Sequence, residues 1–119
     1  MRRMGHTLEF VKSVAKTGGG NAELELGSLE PGFYQVKIWN LENEKGYVTY
    51  LELNEDRQYT YEASIPMIDD MGATVTANAS LYYTGLLNKI ATLYIDNAGS
   101  ISIWEDENYT FVVDIYRVR

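Results

Sequence analysis

A chain of 119 residues, 45% hydrophobic and 23% charged, is the size of one domain with a two-layer core. A net charge of −7 argues against nucleic acid, which needs clustered Lys and Arg, and the lack of cysteine excludes disulfides and thiolate chemistry. No apolar run approaches the ~20 residues that cross a bilayer as a helix, so the sequence predicts a soluble chain made in the cytoplasm with no membrane partner.

Taken in order, residues 1–6 carry no pattern and are expected to be disordered. Thr7–Val14 reads as a first strand, with Leu8, Phe10 and Val14 on one side. Thr17-Gly18-Gly19-Gly20-Asn21 is a flexible connection; it lacks the lysine and the following helix of a phosphate loop. Ala22–Leu26 alternates cleanly as a half-buried strand, and Leu29-Glu30-Pro31-Gly32 is a turn. In Phe33–Trp39, Tyr34, Val36 and Ile38 share one face, while Phe33, Gln35, Lys37 and Trp39 share the other. After an acidic loop, Tyr47–Leu53 and Gln58–Ile65 read as a hairpin. Its register sets Leu53 opposite Tyr59 and Tyr50 opposite Glu62, and Pro66 ends the second strand.

Ala73–Tyr83 points Val75, Ala77, Ala79 and Leu81 inward. A short turn after it would set Leu81 opposite Ala91 and Ala79 opposite Leu93. Lys89–Glu105 carries the strongest local signal: Asp96-Asn97-Ala98-Gly99 suits a three-residue hairpin turn closed by a left-handed glycine. That turn pairs Ile95 with Ile101 and Leu93 with Ile103. Tyr109–Val118 closes the chain, with Phe111, Val113 and Ile115 inward and Val112, Asp114 and Tyr116 outward. Roughly nine short strands, no helical period and ten tyrosines predict one all-β domain over residues 1–119, an antiparallel β-sandwich of jelly-roll type.

Catalytic constellations are missing. His6 is the single histidine and lies in the ragged start, so Ser-His-Asp and metalloprotease patterns are out of reach. Asp69-Asp70, Glu105-Asp106-Glu107 and the acids Glu52, Glu55 and Asp56 could pair for glycoside hydrolysis or hold calcium. Each group sits in a predicted loop or strand end, where acids are ordinarily solvated, and none follows a calcium-loop pattern. The sequence therefore predicts no enzyme, no cofactor and no metal site. The outward aromatics carry more. If the registers hold, Tyr82, Tyr94, Trp104 and Tyr116 share a face with Asn78 and Asp114. Such a face serves as a subunit interface, as the floor under another sheet, as plain exposed surface or, through ring stacking beside hydrogen-bonding groups, as a saccharide site.

The stretch Ala91–Trp104, followed by a final apolar strand, resembles the closing hairpin of small all-β proteins of phages and prophages. These occur in tail fibres, baseplates and head fibres. The resemblance implies a non-enzymatic virion protein with a host-receptor-binding or assembly role. It also implies a homo-oligomer, commonly a trimer, in contact with cell-surface saccharide or other virion proteins. A free-standing carbohydrate-binding module is the alternative reading of the same aromatic face.

Overall fold

The computed structural model describes residues 7–17, 22–41, 44, 46–55, 58–68, 74–97 and 110–119. They form eight antiparallel strands and, among the described residues, no helix. In chain order these are β1 (Leu8–Thr17), β2 (Ala22–Ser28), β3 (Gly32–Asn40), β4 (Gly46–Leu53), β5 (Gln58–Ile68), β6 (Thr74–Thr84), β7 (Ile90–Asn97) and β8 (Thr110–Val118). Two four-stranded sheets result, ordered β1-β8-β3-β4 and β2-β7-β6-β5.

The sheets form a sandwich because β2, β3, β4, β6, β7 and β8 each turn one parity of residues toward a shared core. Tyr34, Val36 and Ile38 of β3 meet Phe111, Val113 and Ile115 of β8 on one side. Leu24 and Leu26 of β2, Leu81 and Tyr83 of β6, and Leu93 and Ile95 of β7 close the core from the other. Burying each Leu or Ile there contributes on the order of 1.5–3 kcal/mol, which makes inward parity the strongest organising term. The phenols of Tyr34 and Tyr83 enter this core and donate to backbone carbonyls at its rim. Tyr34 bonds to Glu30 O, and Tyr83 to Leu29 O at 2.6 Å. Burial pushes the pKa of both above the usual tyrosine range, against the lowering influence of Arg117 on Tyr34.

Eight of the expected strands stand where the alternation placed them, and their partners differ in instructive ways. The expected hairpin between β4 and β5 does not form. Leu53 pairs with Gly32 on β3, and Tyr59 pairs with Tyr83 on β6. The Asn54–Arg57 connection therefore crosses between sheets, with β4 paired to β3 and β5 to β6. Tyr50 accordingly faces Gln35 and Glu62 faces Ser80 in the ladders, not one another. Pro66 does not end β5, which runs to Ile68 with Pro66 opposite Thr76. Among the described residues β5 is an edge strand with no ladder on one side, and a missing N–H is tolerated there.

Between β6 and β7 the register is two residues from the expected one: Leu81 faces Leu93 and Ala79 faces Ile95. The turn is longer than a tight hairpin. Lys89 sits at a φ of 60° and its N–H returns to Thr84 O at 3.0 Å. A two-residue shift preserves parity, so the inward set is unchanged.

The expected pairing of Ile95 with Ile101 and Leu93 with Ile103 does not hold. Asp96 and Asn97 lie within β7, opposite Asn78 and Ala77. Both edges of β7 are taken, by β6 on one side and by β2 on the other, where Leu24 faces Leu93 and Ala22 faces Ile95. Ser100–Trp104, the expected second limb, lies outside the described residues.

The strand order also departs from a jelly roll, which nests four successive strand pairs. Only the outer pairs β1–β8 and β2–β7 are nested here. β3–β4 is a plain hairpin and β5-β6-β7 a meander.

Two predictions follow from this core. Ile115→Ala should lower unfolding free energy by about 2–5 kcal/mol in urea titration, whereas Tyr94→Ser on the outer surface should stay within about 0.5 kcal/mol. The raised tyrosine pKa values mean that the folded state holds its phenolic protons longer than the unfolded chain. Stability is therefore full below the unfolded tyrosine pKa near 10 and falls as pH rises above it. Tyr83→Phe should flatten that alkaline fall in a denaturation series across pH, at a cost of about 1 kcal/mol near neutrality from the lost bond.

Candidate binding surface

The outward parity of the β1-β8-β3-β4 sheet builds an array that the sequence reading distributed differently. Three rows cross the sheet from β1 to β4. Phe10, Tyr116, Gln35 and Tyr50 form one; Ser13, Asp114, Lys37 and Val48 form the next; Ala15, Val112, Trp39 and Gly46 form the third. Phe33 and Glu52 lie opposite each other beside the first row. Phe10 reaches this face through a bulge. The β1 register slips between Phe10 and Lys12, so the strand changes parity there. Leu8 and Phe10 consequently face outward, while Val14 packs partly against the core, and the expected common side of the three does not exist.

Five large apolar side chains of this one face stand open to solvent: Leu8, Phe10, Phe33, Val48 and Tyr50 are 42–58% exposed. They are not loose. Phe33 stacks against Tyr50 with ring centroids 6.2 Å apart, and Phe10 meets Tyr116 edge-on at 5.6 Å. The Tyr50 hydroxyl donates to Gln35 Oε1 at 2.9 Å. At the centre Asp114 accepts from Ser13 Oγ at 2.6 Å and from Trp39 Nε1 at 2.8 Å, while the Lys37 ammonium lies 5.3 Å from the Trp39 ring centroid. Three strands are thus tied across the face by one carboxylate. Gly46 belongs to the same design. A Cβ there would fall 2.5 Å from both Ile38 O and Trp39 Cβ, so only glycine lets β4 run beside the indole.

The residues singled out from sequence divide between the two outer faces. Tyr116 and Asp114 belong to the array just described. Tyr82, Tyr94 and Asn78 lie on the outer face of the other sheet, with Tyr82 and Tyr94 42% and 44% exposed. There Tyr94 stands between Glu23 and Ser80, and Tyr82 beside Thr92. Trp104 lies outside the described residues. The single shared face is therefore replaced by two faces pointing in opposite directions, because β8 joins β1 and β3 and not β7. Alternation already placed Phe33, Gln35, Lys37 and Trp39 on one side; what it could not reveal was that β8 and β1 would extend that side.

On its open flank the sandwich shows a groove of about 370 Å³ between β1 and β2, lined by Val14, Ala15, Lys16, Glu23, Leu24 and Glu25. Lysines span this flank. Lys12 Nζ donates to Leu26 O at 2.6 Å and Lys16 Nζ to Glu23 O at 3.2 Å, occupying carbonyls of an edge strand. Among the described residues no three histidine, aspartate or glutamate side chains converge as a metal site would require. No family model, curated protein or solved structure matches the chain.

The carboxylate hub carries its own test. Trp39→Phe keeps an aromatic ring but replaces the indole with a smaller phenyl group that has no N–H, leaving Asp114 one donor short. It should cost about 1–3 kcal/mol in thermal or urea unfolding, with far-ultraviolet dichroism unchanged at room temperature.

Proposed function

We propose that this chain is a non-enzymatic structural protein of a phage or prophage virion, self-associating through the outer face of the β1-β8-β3-β4 sheet. The observation that carries the proposal is the ordered apolar array on that face. Monomeric proteins rarely leave so many large apolar side chains on one flat surface, and rings already fixed by their neighbours lose little entropy on contact. Aromatic residues surrounding a bonded polar centre are the composition of an interface core.

Charge and size point to a second copy as the occupant. The whole chain carries −7, so copies repel over most approaches. Asp114 and Lys37 are neighbours in the central row and cancel there. Four strands at ~4.8 Å spacing and ~8 residues at ~3.4 Å give a plane of roughly 500 Å². Side-chain relief raises this toward the about 800 Å² per partner of a stable complex. The lysines over β2 meanwhile disfavour association by that edge.

A carbohydrate-binding module is the second reading, favoured by the opposite face. Tyr82 and Tyr94 are exposed there beside Asn78, Ser80 and Thr92, which offers rings for stacking among hydroxyl and amide groups.

Light scattering over a dilution series separates the two. Wild-type protein should show a mass above the monomer, and the double variant Phe33→Lys/Tyr50→Lys should run as a monomer that keeps the far-ultraviolet dichroism of the folded sheet. A wild-type monomer at all concentrations, together with glycan-array binding abolished by Tyr82→Ala/Tyr94→Ala, would replace self-assembly with saccharide recognition.

A further inference from the structure

β1 is held differently from the other strands of its sheet. β3, β4 and β8 each send side chains into the buried core, whereas β1 contributes none; only Val11 and Val14 pack partly against it. Its attachment is a ladder to β8 running from Leu8 opposite Val118 to Thr17 opposite Thr110. Polar side-chain bonds supplement the ladder. Ser13 reaches Asp114, Thr17 Oγ1 lies 2.7 Å from Thr110 Oγ1, Glu9 pairs with Arg119 at 3.2 Å, and Lys12 and Lys16 bind carbonyls of β2.

Water can replace each of these bonds when a strand detaches, so they contribute little net free energy. Apolar burial has no such replacement. β1 is therefore the strand of this sheet whose release exposes the least core surface, and its detachment is a low-energy local opening. The chain joining it to β2 reads Gly18-Gly19-Gly20-Asn21, with three consecutive residues free of the Cβ restriction on backbone direction. Once β1 is away, β8 presents an unpaired ladder edge above Phe111, Val113 and Ile115, and such an edge recruits a strand.

We propose that β1 is an exchangeable strand: β1 of one copy fills the β8 edge of a second copy, which returns its own β1 to the first. Every bond in the slot is remade by the same residues, the lysine bonds to β2 carbonyls included, so the closed and exchanged forms differ mainly in the hinge. Concentration then sets their ratio. The exchange uses the ladder edge of β8 and does not depend on contact through the outer face.

The cysteine-free sequence makes the test direct, and the adjacent Thr17 and Thr110 hydroxyls mark the pair to use. A Thr17→Cys chain and a Thr110→Cys chain, distinguishable by mass, are mixed in a glutathione redox buffer and analysed by non-reducing mass spectrometry. Exchange yields a disulfide-linked heterodimer that increases with protein concentration, well above the yield of Thr17→Cys mixed with Leu86→Cys, an exposed position outside the slot. A heterodimer yield no greater than that control overturns the proposal. Amide hydrogen exchange supplies a second reading on the unmodified protein. β1 amides should exchange at least tenfold faster than those of β3, and equal protection of the two strands would also overturn it. Neither readout involves Phe33 or Tyr50, so failure of the outer-face contact leaves this result intact.

Discussion

The structure depends on a shared core that accepts one parity from six strands drawn from both sheets: β2, β6 and β7 of one, and β3, β4 and β8 of the other. β8 is its axis: Val113 and Ile115 are wholly buried, and β8 pairs along both edges, with β1 and with β3. Once inward parity is assigned to Phe111, Val113 and Ile115, the residues between them must point out. Asp114 and Tyr116 thus arrive on a surface together with the outward residues of β3 and β1. The aromatic array is the geometric complement of the core.

What distinguishes this surface from an ordinary solvated face is the fixing of its side chains. A carboxylate at the centre of three strands accepts from a serine on one and an indole on another. Ring pairs on either side hold Phe10 against Tyr116 and Phe33 against Tyr50. A solvated face would gain nothing from such order. A contact surface gains directly, since the entropy of immobilising those side chains is spent before the partner arrives. The opposite face is chemically different, with its exposed tyrosines set among hydroxyls and carboxylates and no comparable apolar grouping among its described residues.

The flanks obey a separate constraint. Two sheets of equal strand number leave edge strands at each side, and edge carbonyls attract other chains. Along β2 the answer is two lysines from β1, long enough to bridge the gap between sheets. A bulge at Gly27, whose φ is +75°, accompanies the Lys12 contact; a Cβ there would lie 3.1 Å from the ammonium. The same lysines make β1 a polar clasp more than a core strand, which is why its detachment and its protective role belong together.

Alternation by itself determined the eight described strands and, for β2, β3, β7 and β8, which residues go inward. Parity is a local property: Leu24 and Leu26, or Phe111, Val113 and Ile115, show it without reference to any other strand. Partner choice is not local. The hairpin signal at Asp96–Gly99 and the Asn54–Arg57 turn each looked sufficient, yet β2 and β6 hold the two edges of β7 and β3 pairs with β4. Phe10 was misplaced by one bulge residue, which reverses parity and leaves no mark in the pattern. Of the candidate site, alternation showed that Trp39, Tyr82, Tyr94 and Tyr116 lie opposite the core-facing residues of their strands; only the tertiary structure decided that Tyr116 and Asp114 stand with Trp39 and Tyr50 while Tyr82 and Tyr94 stand on the far side. The physical reason is that residues on different strands share a face only through the sheet's strand order, and that order is decided by competition among long-range pairings for one core.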